Sequence, residues 1–348
     1  MQFTLENEEL CVKISSFGGE IQSIVEKRNG REYLWQGDSK FWDEKAPNLF
    51  PYIARLTEGK YTYHGKEYSM QIHGIVKYRE MEAEEKGDEL IFSLQSDEET
   101  LSQYPFRFRF EIRYRLRGNA LTVTCRVENQ EDRTMYFGIG GHPGFQVPYL
   151  RGTEFSDYVL QFPEAEQLFR VQFSEDCFVE GETPFTDLRE GKLSLRHSLF
   201  DQDAIVLRGA GHSVRLCLGR EWEQRAGKEE KREASAICVK FPQMNYVGFW
   251  HLPKSEAPYL CIEPWSSLPS RKGIVEDLER QENLLSLEGG GVYENTWEIL
   301  IRKLISGRIL PEHSRTDSCP LFEYAAEGGS ILKSAGKCNF RNAQGSIF

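Results

Sequence analysis

FRFRFEIRYRLRGNALTVTCRVEN, residues 106–129, decides the fold class. Apolar and charged side chains alternate along it with a period of two, the repeat of an extended strand. Phe106, Phe108, Phe110, Ile112 and Tyr114 fall on one face; Arg107, Arg109, Glu111, Arg113 and Arg115 fall on the other. The alternation breaks once, at Gly118-Asn119, a pair suited to positive φ and so to a tight turn. The segment predicts two antiparallel strands, each with one face on a core and one in water.

Working outward, similar short runs recur at residues 4–15, 20–27, 60–70, 89–96, 157–162, 192–197, 203–209, 212–219, 234–241 and 296–304. Within KYTYHGKEYSM, the His64-Gly65 pair sits where a hairpin turn would. So many short strands separated by turns predict an all-β sandwich or a related architecture. Helical patterning is sparse: residues 39–44 and 97–103 suit one or two turns, and 274–284 a short helix. There is no βαβ alternation, no G-x-G-x-x-G and no Walker loop, which argues against nucleotide-binding folds. Gly289-Gly290-Gly291 reads as a loop. Beyond Ile305 the periodicity weakens and small polar residues dominate, so a body over 1–304 is expected to carry an appended, flexible tail over 305–348.

Composition bounds the function. With 348 residues, 39% apolar and 28% charged, the chain can bury a large core, and its mean hydropathy of -0.53 suits a water-soluble protein. A net charge of -11 argues against a nucleic-acid partner. The start, MQFTLENEELCVKIS, lacks the cationic and apolar regions of a signal peptide, and no run is long enough to span a membrane. The cysteines at 11, 125, 177, 217, 238, 261, 319 and 338 show no CxxC spacing. They read as free thiols in a reducing compartment, and the cytoplasm is the expected location.

Polar chemistry framed by turn and apolar residues occurs in a few places. In Gly140-Gly141-His142-Pro143-Gly144 the glycines permit close backbone approach and Pro143 stops a strand, which leaves the imidazole at a strand end. Gln71-Ile72-His73-Gly74 presents a second histidine beside a turn residue. Each histidine suits proton transfer near neutral pH, or a plain hydrogen bond within its turn. Glu263 ends the apolar run Tyr259-Leu260-Cys261-Ile262 and precedes Pro264-Trp265. A carboxylate so placed needs a partner or a raised pKa, which fits a general base or a structural ion pair. Arg55 stands in the otherwise uncharged stretch Pro47–Leu56, where a fixed cation can orient hydroxyls.

Taken in order, FGGEIQSI, NLFPYIARLTEGKY, IHGIVKYREM, GGHPGFQVP and CIEPWSSLP resemble the aldose 1-epimerase (galactose mutarotase-like) family, especially its LacX-like branch. The resemblance spans roughly residues 1–304. It implies a β-supersandwich with an open sugar cleft. It also implies His73 and His142 as the family's two histidines, Glu263 as its carboxylate and Arg55 as its binding arginine. Asp203, in LFDQDAIVL, matches the family's sugar-binding aspartate more loosely. Three positions depart from the pattern: Ile75 replaces an aromatic, Lys77 an arginine and Gly141 the usual asparagine before HP.

The implied activity is mutarotation of a free monosaccharide by a monomer or homodimer. Glu263 would be the base and protonated His142 the acid; His73 would join the catalytic set by bonding the ring oxygen or supporting His142, and Arg55, His73 and Asp203 would hold the sugar. A metal site from His73, His142 and Glu263 has suitable ligand types but no compact spacing, so no metal or other cofactor is expected. Three other readings stay open. One is a non-catalytic sugar sensor. A second is an epimerase of sugar phosphates using Arg55, Lys60, Lys77 and Arg79. A third is a glycosidase using Asp203 with Glu263, which leaves both histidines without a role.

Overall fold

The computed structural model describes residues 1–305 and 308–309. Residues 106–129 behave as their alternation dictates. Phe108–Arg117 and Ala120–Asn129 pair antiparallel in unbroken register, with Arg117 opposite Ala120 across the Gly118-Asn119 turn. Phe106, Phe108, Phe110, Ile112 and Tyr114 are all fully buried, and Phe50 stacks on Phe110 at 4.5 Å. The opposite face is less wet than expected, because Glu111 is buried there. Burial alone would raise its pKa, but hydrogen bonds from Arg109 and Arg113 outweigh that and hold it below the usual carboxylate range.

These two strands lie inside the larger of two main antiparallel sheets. Its path runs through Lys192–Ser194, Tyr158–Gln161, Ser213–Leu218, Ser235–Lys240, Val292–Ile305, the 120–129 and 108–117 strands, Glu89–Gln95 and Glu82–Lys86. The second sheet orders Val179–Pro184, Phe169–Phe173, Ile205–Arg208, Tyr246–Trp250, Tyr259–Trp265, Gly140–Gly141 and Asn48–Leu49, with Gly144–Gln146 also paired to Tyr259–Trp265. The N-terminal residues add a four-stranded antiparallel sheet. The β-supersandwich expectation is met.

Each of the ten outlying runs contains a strand, and His64-Gly65 forms the predicted hairpin with φ of 49° and 73°. Helix Glu98–Gln103 forms with a reciprocal cap between Asp97 and Thr100, as the 97–103 pattern suggested. Residues 39–44 are instead a turn closed by Asp38–Trp42 backbone bonds. The helix expected over 274–284 is absent. Glu276–Asp277 pairs in parallel with Lys60–Tyr63, and buried Glu276 is clamped by Arg271 at 2.8 and 3.0 Å. Two short helices, Arg220–Arg225 and Lys228–Glu233, were not foreseen. Apart from Ile305, Arg308 and Ile309, the tail expected over 305–348 lies outside the described residues. No described helix is long and apolar enough to cross a membrane.

Candidate active site

The second sheet brings the polar segments together. Tyr259–Trp265 is buried along its whole length and carries Glu263 within it, two residues before its end. Gly140 pairs with Trp265 on one side and Leu49 on the other, which delivers His142 next to that carboxylate. This pairing needs glycine: a Cβ on Gly140 would lie 2.8 Å from the Pro264 carbonyl oxygen, and one on Gly141 2.6 Å from Trp297 Cζ2. The close backbone approach expected before His142 is therefore real.

His73 arrives from a different loop. Its backbone N–H donates to Ala54 O at 2.9 Å, and the Ala54 N–H donates to His73 Nδ1 at 3.2 Å. A neutral ring that accepts at Nδ1 carries its proton on Nε2. Gly74, at φ 85°, lets this loop lie against residues 50–54, since a Cβ there would sit 2.3 Å from Phe50 O. Gly74→Ala combines a left-handed backbone with a backbone clash. It is expected to cost about 3 kcal/mol or more, read as a lowered Tm in thermal melting; an unchanged Tm would show that this loop is not pinned as described.

His73, His142, Glu263, Arg55 and Asp203 all line one cavity of about 410 Å³. His142 Nε2 lies 3.1 Å from Glu263 Oε2. The contact is close but not aligned as a hydrogen bond: Glu263 Oε2 and His142 Nδ1 are buried and, among the described residues, have no hydrogen-bond partner. Orphaned buried polar atoms are uncommon in native folds and call for a functional explanation. The His73 ring stands perpendicular to His142, with centroids 5.3 Å apart.

Burial sets the electrostatics. It pulls His142 down to about 3. Burial, then His142, Lys77 and Arg55, hold His73 well below its ordinary value. Burial, then the Asp203 charge, push Glu263 well above the carboxylate range. Together these favour an uncharged pair, with the proton on Glu263 and a neutral imidazole, over the ion pair that the family resemblance implies.

Beyond Trp265, whose indole the sequence offers as a sugar-stacking face or a core residue, Trp42, Trp250 and Cys177 in the wall were not legible beforehand. Trp42 and Trp250 flank His142 at 5.0 and 5.9 Å between ring centroids, and Trp265 completes an aromatic surround. The Cys177 thiol meets Asp203 Oδ2 at 2.6 Å. Of the four basic residues considered for a phosphate, only Arg55 and Lys77 line the cavity. Lys77 is paired with Glu44 at 2.6 Å, Lys60 with Glu67 at 2.9 Å, and Arg79 with Asp97 and Glu99. Among the described residues Arg55 makes no ion pair.

Residues 1–276 match the family described as aldose 1-epimerase. The plasmid-encoded protein LacX of Lactococcus lactis subsp. lactis is 30% identical over 302 residues, covering 83% of this chain and 96% of that relative. Two solved structures are similar. A galactose mutarotase related enzyme from Lactobacillus acidophilus has 29% identity and a TM-score of 0.78, covering 89% of this chain and 100% of its own. A galactose mutarotase-like protein from Lactobacillus casei has 26% identity and a TM-score of 0.77, covering 86% and 100%.

Proposed function

The chain belongs to the aldose 1-epimerase family, and from that premise we propose that it is an isomerase interconverting the α and β anomers of a free aldose, with residues 1–304 as its catalytic domain. The observation that carries this reading is the 3.1 Å contact between His142 and Glu263 inside a sugar-sized cavity. Ring opening takes a proton from the C1 hydroxyl and gives one to the ring oxygen. Both oxygens are bonded to the same carbon, so acid and base must each come within hydrogen-bond reach of one small part of the sugar, which neighbouring groups on one cavity wall can do. This pair does.

Glu263 serves as base and His142 as acid, each buried enough for its proton affinity to differ from that in water. When a cyclic sugar offers hydrogen bonds to both groups, the proton passes from Glu263 to His142 across their contact. Glu263 then removes the C1 hydroxyl proton while His142 protonates the ring oxygen. Opening returns the pair to the uncharged form that burial favours, so the open-chain aldehyde does not face a buried ion pair. Rotation about C1–C2 and reclosure with reversed roles deliver the other anomer. His73, with its donor on Nε2, hydrogen-bonds the ring oxygen or a neighbouring hydroxyl. Arg55 and Asp203 hold the remaining hydroxyls, and the tryptophans cover the apolar sugar faces.

The pairing of Lys77, Lys60 and Arg79 with carboxylates supports a neutral sugar over a phosphorylated one. Polarimetry on freshly dissolved α-D-galactose and α-D-glucose, with their 6-phosphates alongside, tests both points. The expected result is faster approach to equilibrium rotation for a neutral aldose, insensitive to added inorganic phosphate. Acceleration of the phosphates alone would transfer the assignment to a sugar-phosphate epimerase. Saturable sugar binding without acceleration at any pH would make the protein a sensor.

A further inference from the structure

Cys261 and Glu263 are two residues apart on one strand, so both side chains project from the same face. The nearest donor atoms of His142, Cys261 and Glu263 all lie within 4.8 Å of one another, and all three residues are buried. We propose that these three side chains form a binding site for a thiophilic divalent cation, zinc foremost, and that its occupation switches the acid/base pair off.

The donor set is what zinc takes: one imidazole nitrogen, one thiolate and one carboxylate, with a fourth position left open. At bond lengths of about 2.0–2.3 Å, tetrahedral donors stand roughly 3.5 Å apart, so small side-chain adjustments close the set. Charge balance favours it as well. Binding sends the Cys261 and Glu263 protons to solvent, and two anions with a neutral imidazole then cancel the charge of the ion. A net-neutral cluster is tolerated in a buried site where an isolated ion is not. One atom points to a missing partner independently of spacing, namely the unbonded Glu263 Oε2, which His142 faces with Nε2.

The geometry also fixes the consequence. Cys261 packs behind the pair with Trp35, Ala257 and Tyr259, whereas His142 and Glu263 face the cavity. The open coordination position therefore points into the cleft, available to water or a sugar hydroxyl. A carboxylate and an imidazole that both donate lone pairs to a metal no longer exchange protons with the sugar. This loss of turnover rests on the proposed mutarotase reading; the binding itself does not.

Cobalt(II) titration of the full chain provides a test that needs no activity. Wild-type protein is expected to show an intense near-ultraviolet thiolate-to-cobalt band at about one equivalent, displaced by zinc. Cys261→Ala and Cys261→Ser, each checked for native near-ultraviolet dichroism, are expected to lose it. In polarimetry, zinc should slow the wild type at least tenfold, reversibly with chelator, and each variant should need at least tenfold more zinc. No band in the wild type, or a band and zinc response unchanged in both folded variants, would overturn the site. A cobalt band that depends on Cys261 in a protein without sugar turnover would uphold the metal site and sink only the mutarotase reading.

Discussion

Glu263→Gln is expected to lower kcat for anomer interconversion by about 10²–10⁴-fold, the usual contribution of a positioned general base, while leaving the fold intact. The amide keeps the shape of the carboxyl group but cannot take the C1 hydroxyl proton. The same variant makes a second, independent prediction about stability. Glu263 is buried with a pKa well above its ordinary 4.5. The folded state therefore binds its proton more tightly than the unfolded chain does. The stability this group contributes is complete below 4.5 and is lost as pH rises toward the folded value. Glutamine carries no such penalty. Relative to wild type, the variant should gain stability from pH 4.5 upward, by at most about 1.4 kcal/mol per pH unit, and gain nothing further below 4.5. His142 behaves in the opposite sense: pulled down to about 3, it favours the fold above 6.5 and erodes it as pH falls toward 3. Denaturant melts of both proteins at several pH values, with polarimetry alongside, check both statements. Retained turnover in a folded Glu263→Gln protein would remove the carboxylate from the chemistry. A pH-independent stability difference would show that its burial imposes no protonation penalty.

The strands were legible because their alternation is enforced by a core on one face. Phe108, Phe110, Ile112 and Tyr114 had no other place to go. His142 was legible for a related reason, since it sits where a short strand meets turn residues, whereas Glu263, read as a strand end, lies within a strand that runs on through Pro264 to Trp265. What escaped is whatever depends on pairing between distant segments. Glu111 occupies a polar-face position yet is buried, because Arg109 and Arg113 on its own strand close over it. Residues 274–284 carry helix-compatible composition, but Glu276 finds Arg271 and an edge beside Lys60–Tyr63, and that contact wins. Trp42, Trp250 and Cys177 line the cleft although nothing nearby in sequence marks them, and only the meeting of three chain segments gives them that role. The protonation of the His142–Glu263 pair was only half legible, a raised pKa being one of two readings of Glu263, for the same reason. The family resemblance implies an ionised carboxylate and a charged imidazole; burial in the fold selects the raised carboxylate and pulls the imidazole down.

Gly141→Asn restores the residue usual before HP in the family, and it is nevertheless expected to be among the most damaging single substitutions in the protein. The reason lies across the fold, on the other main sheet. Trp297, on Val292–Ile305, is only 1% exposed. A Cβ on Gly141 would meet its indole at 2.6, 3.0 and 3.2 Å. Gly141 does not have positive φ, so the backbone accepts asparagine and the cost is steric. Neither neighbour gives way easily. Trp297 is locked in the core, and Gly141 is paired with Asn48, whose amide donates to Gly18 O, Gly19 O and Tyr114 Oη. Overpacking of this kind costs about 1–3 kcal/mol and occasionally more; with backbone pairing on one side and a locked indole on the other, about 3 kcal/mol is expected. Because the next residue is His142, any backbone shift that relieves the clash also moves its imidazole off Glu263, so turnover should fall even at temperatures where the variant stays folded. A smaller residue at 297 tests the cause. Trp297→Leu alone opens a cavity and destabilises, but combined with Gly141→Asn it should lose at least about 1 kcal/mol less than the two single costs added, the coupling expected of side chains in contact. Additive losses in that double-mutant cycle would sever the link to Trp297. A wild-type Tm for the Gly141→Asn protein would mean that the indole yields freely, and glycine at 141 would then have no steric explanation in this fold.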